Sequence, residues 1–264
     1  MSRGRGRAAA AALGCLCALA APAQVPPPVP TPLPVPTPLP APSPAQGAAA
    51  APALGRDPGA PPIGPLKSLG HHRYGIDRIV VDRAARTITV PGRVHVLGRP
   101  IEYLATSHDG MKQYESLLEL DASGSELNLA CILLGLERDP AQPALHQFDR
   151  RTVTGPHLAI SIAWTENGHR REVPAAQALL NPDAGVNPDS VEWVYTGSFF
   201  SDAGGAYAAD LSGTLIGVVH DGNTVIESAQ GVGIGAYGSV RGNAMLPPVG
   251  SPVELIIHTA RGGP

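Results

Sequence analysis

The sequence predicts an α+β domain that is mainly antiparallel β, either a sandwich or an open barrel. Two observations support this prediction. Short segments with alternating apolar and polar side chains recur between residues 78 and 259, and turn residues separate them. One long apolar helix pattern, near residues 124–136, interrupts the series.

The strands predicted ahead of the helix are bounded by turn residues. They are Arg78–Asp82, Arg86–Val90, Arg93–Leu97, Ile101–Thr106 and Gln113–Leu120. The first two flank a short turn and are expected to form a hairpin. In the last strand Glu115 and Ser116 are expected on opposite faces, because successive side chains of a strand alternate.

The helix pattern begins at a capping box, with Ser123 as the cap and Glu126 in the reciprocal position. The stretch that follows is apolar on all sides, which predicts a largely buried helix, and Gly135 can end it. Cys131 lies in this pattern and is expected to be a buried small side chain. A second, short helix is predicted over residues 174–180, because a proline favours the first helical turn.

The strands predicted after the helix begin with an alternating segment that ends at a strong hairpin signal, Asn167-Gly168. They are Leu158–Trp164, His169–Val173, Val191–Thr196, Thr214–His220, Asn223–Glu227 and Val253–Thr259. Asp221-Gly222 is a second tight-turn signal, and it predicts a hairpin between the two strands that flank it.

The first 23 residues are typical of a secretory signal peptide. Three arginines precede an apolar run over residues 8–21, which is too short to span a bilayer, and a small-residue cleavage motif ends at Ala23. A competing interpretation makes Cys15 the lipidated N-terminus of a lipoprotein, and a third leaves the segment as an uncleaved anchor. The predicted location is therefore periplasmic or extracellular, and a lipid at Cys15 would be the protein's only link to a membrane.

Residues 24–65 are rich in proline and alanine and predict a disordered stalk or linker. Over residues 25–44 proline recurs at almost every second position, which favours polyproline II at about 3.1 Å per residue, so this stretch reaches on the order of 60 Å. It is either a semi-rigid tether, a passive linker or a proline-motif ligand. Residues 66–264 are predicted to form a single domain, which is long enough to bury a core.

Composition excludes several classes of function. Charged residues make up 16% of the chain and the formal net charge is −3, so there is no basic excess to bind nucleic acid. Cys131 is the one cysteine outside the predicted signal peptide. A single cysteine cannot form an intramolecular disulfide, a structural zinc site or an iron–sulfur cluster, and the sequence predicts no cofactor and no metal.

Known catalytic and nucleotide-binding motifs are weak or missing. Residues 233–238 match G-x-G-x-x-G, but prolines follow where the phosphate-binding helix should begin, so a surface loop is expected. The chain contains neither the G-x-S-x-G nucleophile elbow nor the H-E-x-x-H zinc motif.

One candidate site is a polar cluster of Lys112, Glu115 and Ser116. Glu115 is either part of a solvated strand face beside Glu119, or a carboxylate in a cleft that pairs with Lys112 or with an arginine such as Arg99. In the first case the cluster is part of the surface, and in the second it is a candidate for catalysis or ligand binding.

A second candidate site is a ligand wall. Trp193, Tyr195 and Ser198 follow one another along a predicted strand, and Tyr237 is the one aromatic residue of the glycine-rich loop. Packing of the strand is the alternative role for the first three.

Several segments together resemble the YdjY-domain family of exported bacterial proteins, over about residues 76–260. They are Val94–Val96 with Ile101–Ala105, Lys112–Leu118, Leu127–Leu136, Trp193–Ser198, Ala208–Ile216 and Leu246–Pro248. Members often carry histidine at the position that Tyr114 occupies in this chain. This difference weakens any catalytic or ligand-binding role for that position. Some members are labelled ferredoxin-like, which cannot describe iron–sulfur chemistry in a chain without a cysteine cluster. The family has no established activity, so the resemblance implies an architecture and an exported location.

Two functions from different classes remain open. The first is a non-catalytic ligand-binding or interaction module, displayed on the proline-rich tether to a small ligand or a cell-envelope partner. The second is a cleft enzyme or redox accessory that uses Glu115 and Lys112 with a nearby histidine, for which His95 and His220 are candidates. The absence of a catalytic motif favours the first.

Overall fold

The computed structural model describes residues 63–142, 145–147, 149–180, 191–201, 205–231 and 240–259. The predicted signal peptide with Cys15, nearly all of the predicted stalk, and the glycine-rich loop with Tyr237 lie outside the described residues. The structure is mainly β, with a barrel-like sheet and two helices, which confirms the predicted fold class.

Fourteen strands and two α-helices are described. The strands are β1 (Leu66–Gly70), β2 (Arg73–Ile76), β3 (Ile79–Asp82), β4 (Thr87–Val94), β5 (Tyr103–Ser107), β6 (Ser116–Leu120), β7 (His157–Glu166), β8 (His169–Pro174), β9 (Leu179–Leu180), β10 (Trp193–Tyr195), β11 (Thr214–Gly217), β12 (Ile226–Ser228), β13 (Arg241–Gly242) and β14 (Pro252–Thr259). The helices are α1 (Gly124–Leu133) and α2 (Ala208–Ser212).

The large sheet closes on itself at β4. Its strand order is β1-β2-β3-β4-β14-β7-β10-β12-β11-β5-β6, and β6 returns to pair with β4. One edge of β4 is shared, since Thr87 to Thr89 pair with β3 whereas Gly92 to Val94 pair with β6. β1, β2 and β3 therefore extend from the closed part of the sheet at a single strand.

The Asn167-Gly168 hairpin is confirmed. β7 and β8 pair from Glu166 and His169 onward, and Asn167 and Gly168 both have positive φ angles, of 51° and 78°. These angles suit the two-residue turn that this dipeptide predicts.

The hairpin predicted at Asp221-Gly222 is wrong. β11 and β12, which flank it, are parallel neighbours with Ile216 opposite Ile226. The chain leaves β11 before the turn, because Val218 and Val219 both donate their backbone N–H to Glu102 O, at 2.9 and 3.0 Å. Asp221 and Gly222 instead form part of a loop that carries the chain back to the start of β12.

The capping box of the main helix is confirmed. Ser123 Oγ accepts from Glu126 N at 3.2 Å, and Glu126 Oε2 accepts from Ser123 N at 2.9 Å. The helix ends just before Gly135, whose φ of 81° suits a glycine. Cys131 is buried as expected, and burial raises the pKa of its thiol.

Other predicted elements differ from the structure. Gln113–Glu115 is a single 3₁₀ turn rather than the start of a strand, and the helix predicted over 174–180 is a 3₁₀ turn, Ala175–Ala178, followed by β9. β1, β2 and α2 were not predicted at all. No helix among the described residues is long and apolar enough to cross a membrane.

Candidate functional site

The structure brings Lys112 and Glu115 together but not Ser116. Lys112 Nζ lies 3.4 Å from Glu115 Oε2, and both side chains are partly exposed. Ser116 begins β6, where it is fully buried and its Oγ donates to Leu118 O at 2.7 Å. Because Glu115 belongs to the 3₁₀ turn, the alternation expected from one continuous strand does not relate these two residues.

Glu102 completes this polar cluster, although no sequence motif identified it. Its backbone N–H donates to Glu115 O at 2.9 Å, and its carboxyl group, nearly buried, accepts from Gln147 Nε2 at 3.0 Å. Burial raises the pKa of Glu102, and the negative charge of Glu115 raises it further. We call Glu102 and Glu115 the acid pair.

The two candidate histidines serve other groups. His95 Nδ1 lies 3.2 Å from Glu119 Oε2, and His220, fully buried, donates from Nε2 to Ser228 O at 3.0 Å. Neither therefore supplies the nearby histidine that the enzyme interpretation needs at Glu115. Arg99, the other suggested partner, is exposed, whereas the ion pair of Glu115 is with Lys112.

Glu119 is buried and is not the solvated residue that its place in the strand pattern suggested. Its side chain is 4% exposed and accepts from Arg93 Nη2 at 2.5 Å. His95 approaches one carboxylate oxygen, and His108 Nδ1 hydrogen-bonds to the other. This bond to Glu119 is the main cause of a raised pKa at His108.

A second buried carboxyl group, that of Glu227, has no basic partner. Its Oε1 accepts from Asp221 N at 3.1 Å and from Thr224 Oγ1, while its Oε2 has no hydrogen-bond partner. Burial raises its pKa well above the ordinary value, which favours the neutral acid. Gly217 lies directly against it, and a Cβ there would collide with Glu227 Oε2.

Asp221 links this carboxyl group to β5. Its Oδ2 accepts from Tyr103 OH at 2.8 Å, and its Oδ1 accepts from Asn223 N at 3.1 Å. These bonds hold the loop of residues 221–224 in place. Within this loop, Gly222 packs against the backbone of Leu145. Tyr103 and Asp221 therefore have a structural role, because their hydrogen bond joins β5 to a loop that is distant in sequence.

The proposed ligand wall is only partly accessible. Trp193 and Tyr195 are both 2% exposed, and Tyr195 OH donates to Asn128 Oδ1 at 2.6 Å, so both pack within the core. Ser198 lines a cavity. Tyr237 lies outside the described residues.

The cavity beside Ser198, which we call the cleft, has a volume of about 390 Å³. Apolar surface predominates, and the walls come from segments that are distant in sequence. The described residues that line it are Arg138, Gln142, Leu145, His146, Thr196, Ser198, Phe199 and Gly222. A volume of this size is within the range of small-molecule sites, which are generally concave and mostly apolar.

The wall of the cleft at residues 196–199 is held firmly. Gly197 and Ser198 have positive φ angles of 73° and 51°, which turn the chain sharply after β10. Thr196 Oγ1 donates to Thr224 O and Val225 O, both at 3.1 Å, and Ser198 Oγ donates to Asn223 O at 2.7 Å. The turn is thereby anchored to the 221–225 loop, so this side of the cleft is preformed.

A second and larger cavity, the groove, has a volume of about 750 Å³. Its charged residues largely pair with one another. Arg78 lies 3.1 Å from Asp121, and Arg170 lies 2.6 Å from Glu254. The groove therefore presents few unsatisfied charges to a ligand.

Sequence reasoning missed Glu102, Arg138 and His146. No local signal marks them, since each is an ordinary polar residue at a strand end or in a loop, and its neighbours come from distant segments. Among the described residues, no group of three or more His, Cys, Asp or Glu side chains is arranged to hold a metal ion.

Comparison with known families agrees with the fold described above. The YdjY domain family matches residues 79–258, which is most of the described domain. No curated protein and no solved structure matches the chain. The match runs from β3 to β14 and takes in the barrel-like sheet, the acid pair and the cleft, so this chain belongs to the YdjY family.

Proposed function

We propose that this chain is an exported, non-catalytic ligand-binding protein of the cell envelope and that the cleft is its binding site. The signal peptide and the proline-rich segment would place the domain outside the cytoplasm and away from a membrane or wall surface. The observation that carries the proposal is the cleft itself, an apolar cavity with a few polar groups on a rigid wall.

The state of the buried polar groups supports binding over catalysis. Glu119 is contacted by three basic side chains, and the carboxylate oxygens of Asp221 accept hydrogen bonds from Tyr103 and Asn223. A catalytic group has to reach a substrate within hydrogen-bonding distance. Neither member of the acid pair lines the cleft or the groove.

Native mass spectrometry of the protein purified from its own host tests this proposal. We expect a bound small molecule that is lost on denaturation, and the same measurement reveals the signal cleavage point and any lipid at Cys15. Phe199→Ala should lose the bound mass, because Phe199 lines the cleft. Phe200→Ala is the matched control, since Phe200 packs on Tyr207 at a ring distance of 5.1 Å and does not line it. Equal retention in both variants would contradict binding in the cleft.

The acid pair supports a second candidate, an enzyme that uses Glu102 as a general acid. A carboxyl group with a raised pKa beside a second carboxylate is a frequent arrangement for acid–base chemistry. If the protein turns over its ligand, Glu102→Gln should retain a molecule of different mass from the wild type, the substrate in place of the product. The control is Glu137→Gln, an exposed carboxylate. Identical retained masses in all three proteins would favour binding alone.

A further inference from the structure

The charges around the cleft indicate what kind of ligand it takes. Arg138 and His146 are its basic residues, and among the described lining residues there is no aspartate or glutamate. A ligand that enters the cleft therefore meets positive charge without a compensating carboxylate in the wall.

Arg138 is not neutralised by its neighbours. It forms no ion pair with any other described residue, and it is exposed. Asp139, the next residue, is held elsewhere, because its Oδ1 accepts from Ala141 N at 2.8 Å and its Oδ2 accepts from Thr154 Oγ1 at 2.9 Å. This differs from the groove, where both Arg78 and Arg170 are paired with carboxylates.

The hydroxyl groups of the cleft are already used as donors. Thr196 and Ser198 both donate to backbone carbonyl oxygens of the 223–225 segment, so their hydrogens are directed into the wall. Gln142 Oε1 accepts from Thr154 N at 2.7 Å and from Thr154 Oγ1 at 3.0 Å. The strongest donors that remain at the cleft are therefore cationic, the guanidinium of Arg138 and, when protonated, the imidazole of His146.

The rest of the cleft suits an apolar body. Phe199 and Leu145 contribute apolar side chains from two segments that are distant in sequence. Phe199 is 41% exposed, so burial of its ring by a ligand is favourable. A planar guanidinium pairs with a carboxylate through two parallel hydrogen bonds. The two features together describe a ligand with an anionic end and an apolar tail.

We propose that the cleft binds an amphipathic carboxylate, whose carboxylate group pairs with Arg138 and His146 and whose apolar tail packs on Leu145 and Phe199. This inference rests on the proposed function, since it assigns a ligand class to the same cleft. Arg138 is then the residue that discriminates between ligands, and neither the fold nor the family identifies it.

A series of probes that share one tail tests the proposal. Octanoate, 1-octanol and octylamine are titrated into the purified full-length protein at pH 7 by isothermal titration calorimetry. We expect octanoate to bind about tenfold more tightly than 1-octanol, because a charge-assisted hydrogen bond raises the affinity by about that factor. Octylamine should bind most weakly, because its ammonium group faces Arg138.

Variants separate the carboxylate contact from the tail contact. Arg138→Gln should weaken octanoate about tenfold and leave 1-octanol unchanged, whereas Phe199→Ala should weaken both. Arg138→Lys should retain part of the octanoate affinity, since it keeps the charge and loses the paired geometry. Arg83→Gln, an exposed arginine far along the chain from the cleft residues, is the matched control.

The outcomes distinguish this inference from the proposed function. If octanoate and 1-octanol bind equally and Arg138→Gln changes neither, carboxylate recognition is overturned and ligand binding stands. If octylamine binds most tightly, the charge assignment is also overturned. If no probe binds and the wild type retains no small molecule from its host, both proposals fail.

Discussion

Glu119 and Glu227 are both buried carboxyl groups in the same closed sheet, but their surroundings differ. Three basic side chains contact the first, namely Arg93, His95 and His108. The second has only hydroxyl and amide donors, and burial raises its pKa well above the ordinary value, which favours the neutral acid. Two similarly buried carboxyl groups thus differ in whether cations lie beside them, and a neighbouring cation favours the charged form of a carboxyl group whereas burial favours the neutral form.

The strongest test of this difference is the removal of the cation beside Glu119. We expect Arg93→Met to lower the free energy of unfolding by about 3 kcal/mol at pH 9, because the buried Glu119 side chain loses its guanidinium partner. At pH 6 the loss should be smaller, because the raised pKa of His108 favours a protonated imidazole beside Glu119. Urea denaturation at both pH values measures it, with Arg83→Met as the control. A loss that does not change with pH would argue against the pairing described here.

The packing around Glu227 gives the next largest effect. Gly217→Ala should cost about 2 kcal/mol, because the new Cβ collides with Glu227 Oε2 in a closely packed region. Gly75→Ala is the matched control, a buried strand glycine whose Cβ would lie no nearer than 3.6 Å to Leu69. In the double variant with Glu227→Ala, the total loss should be less than the sum of the two single losses.

Replacement of the neutral acid by its amide should have a smaller effect. Glu227→Gln keeps the shape of a protonated carboxyl group, so at pH 5 we expect a change below about 1 kcal/mol. The folded pKa is raised, so the wild type loses stability as the pH rises above the ordinary carboxyl value of 4.5 toward the folded value. The variant lacks this loss and should become relatively more stable at higher pH. A large destabilisation at every pH would mean that Glu227 is ionised.

The smallest expected effect concerns His108, which is mostly exposed. Its pKa is raised, chiefly by the hydrogen bond to Glu119, so its contribution to stability is present below its ordinary pKa of 6.5 and is lost as the pH rises through the folded value. In an NMR titration the His108 midpoint should lie above 6.5 in the wild type. In Glu119→Gln it should move back toward that value, and an unchanged midpoint would assign the shift to another group.

The sequence predicted best where the interactions are local. The capping box joins residues three positions apart, and Asn167-Gly168 needs only its own backbone angles. The Asp221-Gly222 turn shows the limit, because the contact that made the hairpin prediction wrong joins Val218 and Val219 to Glu102, more than a hundred residues away along the chain.

The candidate site was predicted less completely for the same reason. Lys112 and Glu115 are neighbours in sequence, and their pairing was a stated alternative. Glu119 lay on a solvated face in one of the two interpretations of Glu115, since its basic partners are distant in sequence, with Arg93 on β4 and His95 and His108 just after β4 and β5. Arg138 and His146 could not be identified, since their role depends on a cavity that forms only when the 196–199 turn meets the 145–147 segment.

The closure of the sheet at β4 also bears on aggregation. A closed sheet leaves few strand edges on which another chain can add a strand. Among the described strands of the large sheet, β1 and β8 are paired on one side only. Both carry features that discourage such pairing. The β1–β2 register is broken by an irregularity between Ser68 and Gly70, with Lys67 just before it, and β8 carries Arg170, Arg171 and Glu172 in succession. The closure at β4 therefore leaves two short strand edges in the described part of the sheet, and each edge carries features that oppose the addition of a strand from another chain.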